Sequence, residues 1–274
     1  MYLSYYSKPK PSFSNDLSNI QKEQGKIVTK KISHPRSFFN TDEKRRKFIS
    51  IDSLSRNHMM HYNDTGGIDN QYTKFKIPKA QGGFREILAP SDPLKAQQKR
   101  IQQYLLKECK FLAPNSVHGF VRNRNTLSAM RTHQNAKSRW FLKIDIKDFF
   151  PSITINLVVD AMENIYPFYE MPSPRTLILP CFLEDGTLPQ GSPASPVLSN
   201  IAMVDKDVRI QEAFPTLPYT RYADDMMFSS KSHFGWEYVI RKLEVILLPF
   251  KIKRSKTRYG SCAGANWNLG LMYN

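Results

Sequence analysis

Pro218-Tyr219-Thr220-Arg221-Tyr222-Ala223-Asp224-Asp225-Met226-Met227-Phe228 sets two adjacent carboxylates between two apolar or β-prone runs. Side chains along a strand alternate faces, so an acid pair at a tight turn between two strands lifts at least one carboxylate onto a shared face. Adjacent acids on an otherwise apolar hairpin repel each other and resist desolvation, and a cation offsets both costs. Taken alone, Asp224-Asp225 also reads as an acidic surface turn. The rest of the chain decides between the two.

About eighty residues earlier stands Lys143-Ile144-Asp145-Ile146-Lys147-Asp148-Phe149-Phe150-Pro151-Ser152-Ile153. Leu142, Ile144 and Ile146 alternate with Lys143, Asp145 and Lys147, which predicts a strand with Asp145 at its end. An aspartate there can simply begin a turn. Together, however, Asp145, Asp224 and Asp225 offer three hard oxygen ligands, the chemistry suited to two Mg²⁺ ions shared with substrate phosphates. Between the acids lies Leu188-Pro189-Gln190-Gly191-Ser192-Pro193-Ala194-Ser195-Pro196-Val197-Leu198-Ser199-Asn200-Ile201. Its first half is turn-rich, and a helix is expected from Ser195, with Ser195 as N-cap and Pro196 at the first helical position.

In this order the three stretches resemble the reverse transcriptase family: motif A at Asp145, motif B at Gln190-Gly191 and motif C at Tyr222 to Asp225. The wording is similar to bacterial enzymes of the retron and defence-associated kinds. Phe75-Lys76-Ile77-Pro78-Lys79, Gly82-Gly83-Phe84-Arg85-Glu86-Ile87, Ala89-Pro90 and Leu94 to Gln98 resemble the family's first fingers block, with Gly82-Gly83 as a hairpin signal. His118-Gly119-Phe120 with Arg122 and Arg124 resembles the second block. Lys253 to Arg258 resembles motif D, and Asn268-Leu269-Gly270-Leu271 the primer-grip hairpin. Coverage runs from about residue 70 to 274.

The resemblance implies an α+β right-hand polymerase with fingers and a ferredoxin-like antiparallel palm sheet carrying helices on one face. The expected domains are a polar N-terminal extension over 1–70, fingers over 71–140, and palm over 141–274 with a fingers-type insertion at about 165–195. The sequence stops at Asn274, just past the primer grip, so a thumb is expected to be absent, by truncation or because a partner supplies it. The implied activity is RNA-directed DNA polymerisation, with dNTPs added to a primer by two-metal-ion catalysis. Asp145, Asp224, Asp225 and the carbonyl of Ile146 would hold two Mg²⁺. Lys256, with Lys253 as competitor, would protonate pyrophosphate. Lys79 and Arg85 would grip the triphosphate, Phe150 would stand against the sugar 2′ carbon, and Gln190 and Gly191 would meet the incoming nucleotide and template base. Tyr222, Leu269 and Gly270 would contact primer and template. Implied partners are an RNA template, a primer, a structured non-coding RNA and an effector protein in antiphage defence. Two alternatives stay open: a defence polymerase that is protein-primed or untemplated, and a non-catalytic nucleic-acid-binding module. Ser128-Ala129-Met130-Arg131-Thr132-His133 matches the Asn-Ala-x-x-His element of retron enzymes only loosely, and Gly191-Ser192 differs from the Gly-Gly of group II intron maturases.

Composition agrees. The 274 residues carry 40 Lys and Arg against 24 Asp and Glu, a net charge of +16 that calls for a polyanionic partner and a salt-dependent one. Three widely spaced cysteines indicate neither a disulfide framework nor a zinc site. No apolar run long enough to span a membrane and no signal-peptide core occur, so a cytoplasmic protein is expected. Helices are expected over Thr41 to Ile51 with Thr41 as cap, Pro93 to Phe111, Phe149 to Met162 and Ser195 to Glu212. Met226, Met227, Phe228, Trp236 and Tyr238 are expected in the core.

Overall fold

The computed structural model of the chain describes residues 41–79 and 82–261, and the backbone alone of 266–268 and 271–272. Helix α1 (Asp42–Asp64) begins at the predicted cap, where Thr41 Oγ1 accepts from Lys44 N at 3.4 Å, but runs far beyond Ile51. Its inner face is partly polar, which hid it from a hydrophobic periodicity. Ser55 is buried, donating to Leu177 O at 3.2 Å and accepting from Gln97 Nε2 at 3.0 Å.

Strands β1 (Tyr72–Pro78) and β2 (Phe84–Pro90) form an antiparallel hairpin in unbroken register from Tyr72↔Pro90 to Pro78↔Phe84. Gly82 and Gly83 both take positive φ, 86° and 78°, which is why glycines close this turn. Helix α2 (Asp92–Gln103) follows and loosens into a π-helical turn at Tyr104–Glu108. That turn buries Tyr104 and Leu105 and exposes Leu106, so the single helix expected over 93–111 is broken and Leu106 leaves its apolar face. Helix α3 (Thr126–Asn135) opens with a capping box between Asn125 and Ser128.

The chain then forms β3 (Trp140–Asp145), α4 (Ile155–Met162), α5 (Pro174–Ile178), α6 (Ser195–Ala213), β4 (Tyr219–Tyr222), β5 (Asp225–Ser230), α7 (Trp236–Ile246) and β6 (Arg258–Ser261). A short antiparallel pair, β7 (Asn266–Asn268) and β8 (Leu271–Met272), follows. The four-stranded order is β4-β5-β3-β6 with every neighbouring pair antiparallel, the ferredoxin-like arrangement in which β5 returns between the parallel-running β3 and β4. Two helix starts differ from expectation. Phe149–Ser152 form turns, and α4 waits for Thr154, whose Oγ1 accepts from Leu157 N at 3.3 Å. Ala194, not Ser195, is the N-cap of α6; Ser195 Oγ instead donates to Pro189 O at 2.7 Å.

Alternation along the strands sorts the sheet's two faces. Leu142, Ile144, Met226 and Phe228 are fully buried toward α4, α6 and α7 and form the core. Lys143, Asp145, Asp225, Met227, Thr220 and Tyr222 point to the other face, which α3 covers only at its far part through His133, whose ring lies 6.0 Å from that of Phe141. Met226 and Phe228 lie in the core as expected, Met227 is buried but on the opposite face, and Trp236 is half-buried against the core; Tyr238 is 54% exposed because the inward stripe of α7 is Val239, Ile240, Leu243 and Ile246. Among the described residues no helix is long and apolar enough to cross a membrane.

Candidate active site

Tyr222 pairs with Asp225, leaving Ala223-Asp224 as a two-residue hairpin loop in which Ala223 holds φ at 56°. Across the sheet Asp145 pairs with Asp225, and Ile146 N donates to Asp224 O at 3.0 Å. The end of β3 and the tip of the β4-β5 hairpin therefore bring Asp145, Ile146, Asp224 and Asp225 together, although 79 positions separate the first acid from the second in sequence. Burial raises the carboxyls of Asp224 and Asp225 above the usual aspartate range, and the negative charges of neighbouring acids push the same way.

Two lysines answer part of that charge. Lys256 Nζ lies 2.7 Å from Asp145 Oδ2, and Lys143 Nζ lies 3.1 Å from Asp225 Oδ1. The hydrogen bond to Asp145 raises the Lys256 ammonium above its ordinary value, so it keeps its proton. Lys253 reaches Asp145 only through its backbone, N donating to Asp145 O at 2.8 Å. Among the described residues no three His, Cys, Asp or Glu side chains already close into a metal cage. The donor set nevertheless fits a hard divalent cation, since three oxygen-bearing acids meet in a partly desolvated site where two ammonium groups leave negative charge in excess.

The hairpin is clamped by residues outside the predicted site set: the His118-Gly119 stretch, to which the sequence gives a family resemblance but no such role, and Arg221 with Asp207. His118 N donates to Arg221 O and Arg221 N to Ser116 O, each at 2.8 Å, so residues 116–118 run as an extra edge beside β4. Gly119 then lies so close that a Cβ would stand 2.5 Å from Ala223 N, the physical reason for glycine in His118-Gly119-Phe120. On the helix-facing side, fully buried Arg221 forks onto fully buried Asp207 of α6, with Nη2 to Oδ2 at 2.6 Å and Nε to Oδ1 at 2.9 Å. The available signal was an arginine inside an apolar strand and an aspartate inside an apolar helix.

The remaining predicted residues form a second group. Leu88 N of β2 donates to Gln190 O at 2.8 Å, and Gly191 sits at φ 133° where a Cβ would meet Leu88 O at 2.3 Å. Only glycine permits that approach. Arg85 pairs with Ile77 and shares its strand face with Ile87, the residue whose side chain borders Gly191. Lys79 stands just past β1, its N–H donating to Gly83 O at 2.9 Å. Leu188 N bonds Ile153 O at 3.0 Å, joining this loop to the turn that carries Phe150. Of the Phe149-Phe150 pair, Phe149 is buried in the core, while Phe150 is part-exposed and meets Phe120 at 6.1 Å, which in turn lies 6.4 Å from Tyr222. Leu269 and Gly270 lie outside the described residues.

Residues 77–261 match the family model described as reverse transcriptase (RNA-dependent DNA polymerase). The chain is 30% identical over 210 residues to the retron Ec73 reverse transcriptase of Escherichia coli, covering 70% of this chain and 65% of that one. It is 32% identical over 224 residues to the retron Mx65 reverse transcriptase of Myxococcus xanthus, covering 74% and 51%. It thus spans about half to two thirds of the length of these curated relatives. Among solved structures, a telomerase from Candida albicans in complex with a fragment of telomeric RNA aligns over 76% of this chain and 46% of that one, with 10% identity and a TM-score of 0.48. The ordered motifs, the ferredoxin-like sheet with its acids at one end and the match over most of the chain lead to one conclusion: this protein belongs to the reverse transcriptase family.

Proposed function

We propose that the chain is an RNA-directed DNA polymerase that adds dNTPs to a primer on an RNA template, of the retron kind. The observation that carries this reading is the meeting of Asp145, Asp224 and Asp225 on the open sheet face, with more negative charge than Lys143 and Lys256 neutralise. Asp145, Asp224, Asp225 and the Ile146 carbonyl would hold two Mg²⁺. When bound, such ions activate a primer hydroxyl and neutralise charge developing on a triphosphate. Lys256 carries the proton that a leaving pyrophosphate needs. Arg85 and Lys79, on the β1-β2 hairpin that also anchors Gln190 and Gly191, bind triphosphate and fix the nucleotide against the template. Phe150 excludes a 2′-hydroxyl, and Tyr222 orients the primer end. In this reading residues 71–140 serve as fingers and 141–274 as palm, with a fingers-type insertion at about 165–195.

In this reading the template is a structured non-coding RNA, the partner an effector protein, the role antiphage defence and the setting cytoplasmic; the similarity to retron reverse transcriptases supports the retron kind of polymerase from which these follow. Mg²⁺-dependent dNTP incorporation on a primed RNA tests the core of the reading, and a chain that binds primed RNA without extending it would sink it. Sequencing nucleic acid that co-purifies with the protein tests the retron assignment, for which a covalently branched RNA-DNA molecule is the expected find.

A further inference from the structure

We propose that Arg221 is a positioning residue that sets where Asp224 and Asp225 stand, acting from the opposite face of the sheet. The inference rests on the polymerase reading above for its catalytic consequence, and on geometry for the hold itself. Ala223 sits at positive φ, a conformation that a non-glycine side chain resists, so the loop carrying the acids needs an external restraint. Arg221 Nη1 donates to Ala223 O at 3.2 Å. The same guanidinium forks onto Asp207, also bonds Asn200 Oδ1 at 3.3 Å, and so ties the loop to two positions on the long helix α6. Asn200 completes the frame, with Nδ2 donating to Gly119 O at 3.0 Å, and Gly119 is the residue pressed against Ala223 N. Tyr219 OH adds a bond to Asp207 at 2.7 Å, fixing the carboxylate that fixes the arginine.

A buried ion pair is a poor device for stability alone, because well-packed apolar residues fill such space at least as well. What apolar residues cannot do is reach a carboxylate, an amide oxygen and a loop carbonyl at once. A planar, five-donor fork can, and a lysine point charge cannot. The acids therefore depend on a group that never touches metal, primer or nucleotide. Misplacement by about 1 Å is enough to cost on the order of a hundredfold in rate.

The test compares wild type with Arg221→Lys, which keeps the charge beside Asp207 but loses the reach to Ala223 O. Amide exchange over residues 222–226 in the metal-free protein should quicken by about tenfold or more. In primer extension kcat should fall at least about tenfold while the dNTP KM stays within about twofold. The Mg²⁺ concentration for half-maximal rate should rise. Unchanged exchange would overturn the proposal. So would faster exchange with wild-type kcat and Mg²⁺ requirement, which would leave the network as a core ion pair only. If Arg221→Lys does not fold, Asn200→Ala, which cuts one arm of the frame, is measured in the same way and decides by the same outcomes. Failure of the wild-type chain to incorporate dNTP would count against the polymerase reading, while the exchange data would still decide whether the network holds the hairpin.

Discussion

On the helix-covered face of the four-stranded sheet one aspartate, Asp207, meets one arginine, and both are completely buried with their polar atoms shared among Tyr219, Asn200 and Ala223 O. On the open face three aspartates meet two lysines, and Lys256 remains 44% exposed. The first arrangement is closed: charge and hydrogen bonds balance, and nothing is left for a ligand. The second is open: burial and mutual repulsion raise Asp224 and Asp225, so the site gains from an added cation. Adjacent residues serve the two arrangements, since Arg221 points to one face and Tyr222 to the other. The same ionic chemistry thus gives a restraint where it is saturated and a candidate cation site where it is not.

The strongest way to break this contrast is to unsaturate the closed pair. Arg221→Met leaves Asp207 buried and uncompensated, and should destabilise the fold by about 3–5 kcal/mol in urea unfolding. Adding Asp207→Leu should recover most of that stability without restoring extension. If the single variant were as stable as wild type, the pair would not be the sealed unit described.

The open face predicts the reverse. Asp224→Asn removes one of the repelling charges, so the metal-free protein should melt no lower than wild type. Primer extension should fall at least about a hundredfold, or roughly 2.7 kcal/mol. A large loss of thermal stability with extension retained would assign Asp224 to the fold and not to the site.

A third test uses the part of the open face covered by α3. His133 Nδ1 bonds Ser229 Oγ at 2.6 Å and Nε2 bonds Thr220 Oγ1 at 2.8 Å, while His118 Nδ1 bonds Ser128 Oγ at 2.8 Å. Burial pushes His133 down to about 3 and His118 to about 4. The unfolded chain takes up these protons near pH 6.5 and the folded one does not, so stability should fall as pH drops from 7 toward 5. The expected loss is about 1–2 kcal/mol for each histidine, followed by denaturant melts at each pH. His133→Gln should flatten part of the slope; an unaltered slope would place the acid sensitivity elsewhere.

The smallest effect concerns Phe150, which stands part-exposed beside Phe120 while Phe149 fills the core. Phe150→Val should relax discrimination against ribonucleotides severalfold, worth about 1 kcal/mol, with dNTP extension largely kept. Competing rNTP and dNTP incorporation measures it, and unchanged selectivity would make Phe150 a packing residue.

Much of this molecule was legible in the order of its residues, for local reasons. Asp145 closing an alternating strand, the acid pair at a two-residue turn, Gly82-Gly83 between two strands and the Thr41 cap are all short-range patterns, because strand alternation and turn geometry are set within a few residues. Helix ends read less well. The starts of α6 and α4 turn on single side-chain bonds, Ser195 Oγ to Pro189 O and Leu157 N to Thr154 Oγ1, that composition alone does not assign, and the length of α1 rests on a buried partner far along the chain, Gln97. Tyr238 is expected inward yet stands exposed, because an apolar side chain in a helix does not itself say which way its helix is turned. What only tertiary structure decided was the support of the site: Gly119 against Ala223, Gly191 against Leu88, Lys143 on Asp225 and the Arg221-Asp207 fork. Each joins segments far apart in the chain. A close approach or a buried ion pair leaves only a single glycine, arginine or aspartate in the sequence, indistinguishable from its many ordinary neighbours until the fold supplies its partner.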